Sequence, residues 1–105
     1  MSAQPSALYL NLLGETARIS WQELQPFFAR GALLWVDAAL DLVAVAEALA
    51  QDEHARVSSW LHNKQLAVLE TALAEDFLRR DPELWAVVVA PWVVIQERSG
   101  KPQLN

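Results

Sequence analysis

The segment Leu84-Trp85-Ala86-Val87-Val88-Val89-Ala90-Pro91-Trp92-Val93-Val94-Ile95 is apolar throughout and rich in β-branched and aromatic side chains. Such a run reads as strand buried on both faces. Pro91 has no N–H to give to a ladder, so the run is either one bent strand or two short ones forming a hairpin. A straight strand from Leu84 to Gln96 would be about 43 Å long at roughly 3.3 Å per residue, more than a small domain accommodates unless it also pairs outside itself. Self-association through this segment is therefore expected, with Trp85, Trp92 and Val94 as candidate interface residues. The two tryptophans, seven positions apart, fall on opposite faces of a regular strand unless a bulge at Pro91 shifts the alternation. A helix crossing a bilayer needs about twenty apolar residues, so this run reads as core.

The remaining 93 of the 105 residues must pack around that segment. A chain of this length supports one domain over residues 1–105, with an ordered core at about 6–97 and a flexible tail over 99–105. An apolar fraction of 53% against 20% charged argues for folding rather than disorder. The net charge of −5 repels phosphate backbones and anionic headgroups, and only Arg79-Arg80 makes a basic doublet. Neither a nucleic acid nor a membrane is an expected partner. No cysteine is present, which removes disulfides, thiolate metal sites and cysteine nucleophiles and suits the cytoplasm. Met1 to Pro5 has no basic region followed by an apolar core, so it does not read as a secretory signal.

Ahead of the C-terminal run, helix and strand signals alternate. Ser6 can cap a first helix, where Leu10, Leu13 and Ala17 recur at helical spacing. Ser20-Trp21-Gln22-Glu23 matches a capping box, starting a second helix at Trp21 that stops at Gly31. Leu33-Leu34-Trp35-Val36 reads as a buried strand, followed by an alanine-rich helix from Leu40 to Ala50 capped by Asp37 or Asp41. A helix from Asp52 carries Val57, Trp60 and Leu61 on one side and ends at Asn63-Lys64. Leu66-Ala67-Val68-Leu69 is a second short strand, and Thr71 a plausible cap for a helix running through Leu73 and Phe77 to Arg80.

Residues 27–40 and 60–73 align without gaps, with Leu33 on Leu66, Asp37 on Glu70 and Leu40 on Leu73. Both stretches read as helix end, short strand, acid and new helix, a helix-strand-helix pseudo-repeat with too few copies for a solenoid.

Several elements together carry a resemblance: Glu15-Thr16-Ala17-Arg18-Ile19, Trp21 with Glu23-Leu24, Leu40-Asp41-Leu42-Val43, Trp60-Leu61, and Leu84 to Val94. They resemble a family of short bacterial proteins known as domain of unknown function 2288, over roughly residues 6–97. The resemblance implies no activity, catalytic residue or ligand. This chain carries Asn63-Lys64 where a turn glycine is expected before the second strand.

His54 and His62, eight residues apart on one helix, lie roughly 12 Å apart along its axis and cannot share a metal. Ser58 and His62 share a helix face, but a mid-helix serine lacks oxyanion donors because its neighbouring amides are committed. No glycine-rich phosphate loop is present. Asp37, Asp41 and Glu70 follow the two inner strands and would form a carboxylate cluster if the pseudo-repeats packed side by side, although capping is the simpler role for acids there. No catalytic residue, metal or cofactor is assigned.

The expected architecture is α+β. Four to five helices pack a small sheet of two short strands plus the Pro-interrupted C-terminal strand or hairpin. The expected function is a non-enzymatic interaction module of the bacterial cytoplasm, joining two copies of itself. A hydrolase or metal-dependent enzyme using Asp37, Asp41 and Glu70 is one alternative. A winged-helix-like nucleic-acid binder, disfavoured by charge, is the other.

Overall fold

Residues 84–97 fold as a hairpin rather than as one long strand. The computed structural model describes residues 5–98. In chain order these form α1 (Ala7–Glu15), β1 (Ala17–Ile19), α2 (Trp21–Ala29), β2 (Leu33–Val36) and α3 (Leu42–Ala50). There follow α4 (His54–His62), β3 (Leu66–Val68), α5 (Thr71–Arg80), β4 (Leu84–Val89) and β5 (Trp92–Glu97). The 99–105 tail expected to be flexible lies outside the described residues.

β4 and β5 are antiparallel, in register from Leu84 opposite Glu97 to Val89 opposite Trp92, with Ala90 and Pro91 in the turn. Each arm has six residues, so no surplus strand length remains to pair outside the domain. The sheet order is β1-β4-β5-β2-β3, antiparallel except where β2 lies beside β5. Both hairpin arms are thus interior strands, each with a neighbour on either side. The mixed sheet has five strands rather than the four at most expected, β1 being the addition.

Helices cover both faces, which explains why the hairpin is apolar on both. On one face α1, α3 and α4 bring Leu12, Leu42, Val45 and Val57 against Leu34, Val36, Val87 and Val94. On the other, α2 and α5 bring Trp21, Leu24 and Phe77 against Leu33, Ala86, Val93 and Ile95. Consecutive residues Val94 and Ile95 on the middle strand are each 0% exposed, one in each layer. Trp85 and Trp92 lie on the same face, not opposite ones, and no bulge is involved. Cross-strand partners share a face, and the chain reversal at Ala90-Pro91 places Trp92 opposite Val89, on the side that also carries Val87 and Trp85.

At the N-terminus the helical spacing of Leu10, Leu13 and Ala17 misleads. Leu8, Tyr9 and Leu12 face the core, Leu10 and Leu13 are half exposed, and Ala17 opens β1 opposite Ala86. The capping box at α2 is present in both directions: the Glu23 amide donates to Ser20 Oγ at 3.1 Å, and the Ser20 amide donates to Glu23 Oε1 at 3.2 Å. Asp41, not Asp37, caps α3 through the Val43 amide. Thr71 is the first residue of α5 and Glu70 occupies its N-cap position, without a side-chain cap bond.

Three helix ends share one geometry. After α2, the Gly31 amide donates to Phe28 O and the Ala32 amide to Phe27 O, both at 2.9 Å. The same pair of bonds closes α3 around Asp52 and α4 around Lys64. These are Schellman motifs, whose pivot residue takes left-handed backbone: φ is +70° at Gly31, +55° at Asp52 and +61° at Lys64. Gly31 and Lys64 are equivalent in the 33-residue offset, so Lys64 performs the turn for which a glycine is expected. The two helix-strand-helix units do share an element order. They are not stacked repeats, because β2 and β3 run antiparallel and the units place their helices on opposite faces.

Candidate functional site

Antiparallel pairing separates the expected carboxylate cluster. The Asp37 amide bonds Gln65 O at 2.8 Å, whereas the Leu69 amide bonds Leu33 O at 3.0 Å, so Asp37 and Glu70 stand at opposite ends of the β2–β3 pair. Five residues of strand, roughly 16 Å at about 3.3 Å per residue, lie between them. Asp37 Oδ2 accepts the Ala39 amide at 2.9 Å. Asp41 Oδ1 accepts the Val43 amide at 3.0 Å, and its Oδ2 accepts the Tyr9 hydroxyl at 2.6 Å. That bond pushes the tyrosine's pKa above 10.0, helped by burial and by the charges of Asp41 and Glu47. Two of the three acids are thus occupied locally, and they form no joint site with the third. His54 and His62 stand at the two ends of α4, both exposed. Among the described residues no group of three or more His, Cys, Asp or Glu is placed to hold a metal.

The three residues expected at an interface differ in exposure. Val94 is fully buried, and Trp85 is half-buried with its indole N–H donating to Glu83 Oε2 at 2.8 Å and the Arg98 guanidinium over its ring at 4.8 Å. Trp92 is half-buried against the α1–α3–α4 layer. The most voluminous concavity described, about 550 Å³, lies between Arg18-Ile19-Ser20 and Asp81-Pro82-Glu83. Its Ser20 and Glu23 side chains are committed to the capping box, and Arg18 pairs with Glu83 at 3.7 Å. No activated nucleophile is available there.

The feature that stands open is the β3 edge. β3 ends the sheet, with β2 on one side and no strand on the other among the described residues. Gln65 O and the Leu69 amide point to β2, and carbonyl and amide directions alternate along a strand. The N–H and C=O of Leu66 and Val68 therefore point away from β2; those of Leu66, a residue 1% exposed, are covered, and Val68, 48% exposed, is the open position. A groove of about 440 Å³ follows this edge, with Trp35, Leu61, Val68 and Leu73 giving it apolar walls and Lys64 and Glu70 in its lining. Leu61 and Val68 are both 48% exposed.

Residues 7–97 match the sequence profile of a protein family of unknown function, DUF2288. The chain belongs to this family. No curated protein matches it. The NMR solution structure of PA1075 from Pseudomonas aeruginosa is similar, with 66% sequence identity and a TM-score of 0.81 over all of this chain and 97% of that one.

In this DUF2288 chain the charges sharpen the description of the edge. Arg30 lies over Phe27, Arg56 over Trp60 and beside Glu53, and Arg98 over Trp85. Arg79 and Arg80 both bind Asp76, and Arg80 also takes both oxygens of Glu97 at 2.8 and 3.0 Å. The Arg80 side-chain bond is the main cause holding the Asp76 carboxyl below its ordinary range. Lys64 is the one cation among the described residues with neither a carboxylate nor an aromatic partner. Glu70, at the other end of β3, likewise makes no ion pair or cap bond. Sequence reasoning singled out Glu70 but missed the edge. The available signal was Lys64-Gln65-Leu66-Ala67-Val68-Leu69-Glu70, a short apolar strand with opposite charges placed symmetrically about Ala67.

Proposed function

We propose that this protein is a non-enzymatic interaction module that takes an extended segment onto the outer edge of β3 by strand addition. The observation that carries this is the outward main-chain donor and acceptor of Val68, a half-exposed edge residue that lines an apolar groove. Unpaired edges of this kind are normally blunted by charge, proline or a covering loop. Strand-addition sites use main-chain bonds for affinity and flanking side-chain pockets for specificity. The acidic chain with its arginines engaged internally favours a protein partner over a nucleic acid. In addition, the hairpin lies in the middle of the sheet, not free as the wing that a winged-helix reading requires. The cysteine-free sequence suits action in the cytoplasm.

Val68→Pro tests this reading. Proline there removes an outward N–H and leaves the bonds to β2 in place. Displayed random peptides selected on the wild-type chain should be extended and alternating, shift the amide resonance of Val68, and lose binding to Val68→Pro. Selected peptides that bind Val68→Pro equally well, or that map to another surface, would refute strand addition. A thermal melt of the variant close to wild type establishes that the fold is retained.

A further inference from the structure

We infer that α4 is a movable cover on the β3 edge, whose displacement frees the main chain of Leu66 and widens the site from Val68 alone to both residues. This rests on the strand-addition reading and describes how that site is gated. Four observations converge on α4. First, the N–H and C=O of Leu66 point away from β2 and are covered, and no turn or side-chain hydrogen bond takes them up among the described residues. Covered main-chain groups are nearly always paired, since an unmet donor or acceptor loses its water without compensation. The covered state is thus disfavoured at the same atoms that an incoming strand would satisfy. Second, α4 has the weakest hold. Alone of the five described helices it has no buried residue, and it packs on the layer through Val57 and Trp60, both half-buried. Third, both of its flanks carry a non-glycine residue in left-handed backbone, Asp52 before it and Lys64 after it, and its N-cap Glu53 makes no side-chain cap bond. Such residues hold strain that the surrounding contacts must maintain, so they are the pivots when those contacts part. Fourth, α4 is joined to β3 directly. The Gln65 amide donates to Trp60 O at 2.9 Å, and Leu61 and Lys64 line the groove beside Val68, so whatever occupies the groove touches the cover. A ligand shifts an equilibrium only through contacts that differ between the two states, and Leu66 supplies them.

Hydrogen exchange of the free chain tests the cover without any ligand. The Leu66 amide, having no bond of its own, is protected only while covered, so it should exchange at least about a hundredfold faster than Ile95 in the middle strand. Val57→Ala loosens α4 and should speed Leu66 roughly fivefold. Leu8→Ala loosens α1 in the same layer; it should speed Ile95, which exchanges through unfolding of the whole domain, and leave Leu66 unchanged. A Leu66 amide that exchanges no faster than Ile95, that responds to Leu8→Ala as much as to Val57→Ala, or that shows no protection at all overturns the proposal. The second readout is affinity. Because the open state is the competent one, Val57→Ala should bind the alternating peptides selected on the wild-type chain roughly fivefold more tightly, whereas a merely structural defect weakens binding. Those peptides should shift the Leu66 amide resonance together with that of Val68. Unchanged or weaker binding by Val57→Ala, or a shift at Val68 with Leu66 unmoved, overturns the cover and leaves strand addition standing. Peptides indifferent to Val68→Pro refute strand addition itself, and with it the gating role of α4, whatever the exchange rates show. Thermal melts confirm that Val57→Ala and Leu8→Ala keep the fold.

Discussion

Gly31 and its two non-glycine counterparts allow the energy of left-handed backbone to be measured in one molecule. Gly31→Ala puts a Cβ where φ is +70°, and that atom would meet no other atom within 4 Å. No clash adds to the backbone term, so the cost is that of an L-residue in the left-handed region. That term is about 1–2 kcal/mol, offset in part by the reduced freedom of alanine in the unfolded chain. A net loss of about 1 kcal/mol is expected, equivalent to a fall in Tm of about 4–8 °C for a domain near this size. The reverse changes, Asp52→Gly and Lys64→Gly, relieve the same strain while giving the unfolded chain more freedom, for a net gain of about 0.5 kcal/mol each. Asp52→Gly is the cleaner of the two because it lies away from the β3 edge. Urea unfolding followed by tryptophan fluorescence at low protein concentration reads these differences, provided the m values agree. A neutral Gly31→Ala, or an Asp52→Gly that loses about 1 kcal/mol as glycine does inside ordinary helix, would refute the assignment of strain to these pivots.

Gln96, 4% exposed, donates from Nε2 to Asp37 O at 3.0 Å and Leu40 O at 2.7 Å, so it ties the turn before α3 to the middle strand. Gln96→Leu leaves those carbonyls without that donor and should cost about 2 kcal/mol in urea unfolding; a change below about 0.5 kcal/mol would mean the tie is unimportant. Tyr9 is the only tyrosine, so its ultraviolet titration can be read singly, and its midpoint should lie above 10.0 and fall in Asp41→Asn. The raised value means that the stability Tyr9 contributes is complete below pH 10 and lost as pH rises through the folded midpoint; an Asp41→Asn titration identical to wild type would refute the coupling. Asp76 has the opposite sign, its pKa being held below 3.8 chiefly by the Arg80 bond. The stability gap between wild type and Asp76→Asn should be full near neutral pH and close as pH falls through that depressed value, and a gap that persists in strong acid would contradict it.

Local signals were legible wherever the physics is local. Ser20 and Glu23 announced a capping box, and the β-branched composition of residues 33–36 and 66–69 announced strands. β1 escaped notice because three residues, Ala17-Arg18-Ile19, carry too little pattern to compete with helical spacing from Leu10 and Leu13. Pairing direction was the larger loss. Asp37 and Glu70 are equivalent in sequence, and only the antiparallel relation of β2 to β3 sends them to opposite ends. In the same way, the apolar run looked like an edge seeking a partner, whereas its two-sided hydrophobicity marks the middle of a sheet. The edges are the shorter strands β1 and β3. Which strand is outermost depends on the order of all five, which no single segment encodes.

The strand at the middle of the sheet is also the last described. β5 joins β4 to β2, so a chain emerging from the ribosome without residues 92–97 has β2–β3 on one side and β1–β4 on the other, with nothing between them. Both helical layers would lack much of their floor during that interval. At about 5–20 residues per second the exposed period lasts seconds, ending only when β5 clears the exit tunnel. Folding is thereby deferred until β5 is available, and truncated products ending before Trp92 should be recognised by cellular quality control as unfolded chains rather than accumulate as smaller domains.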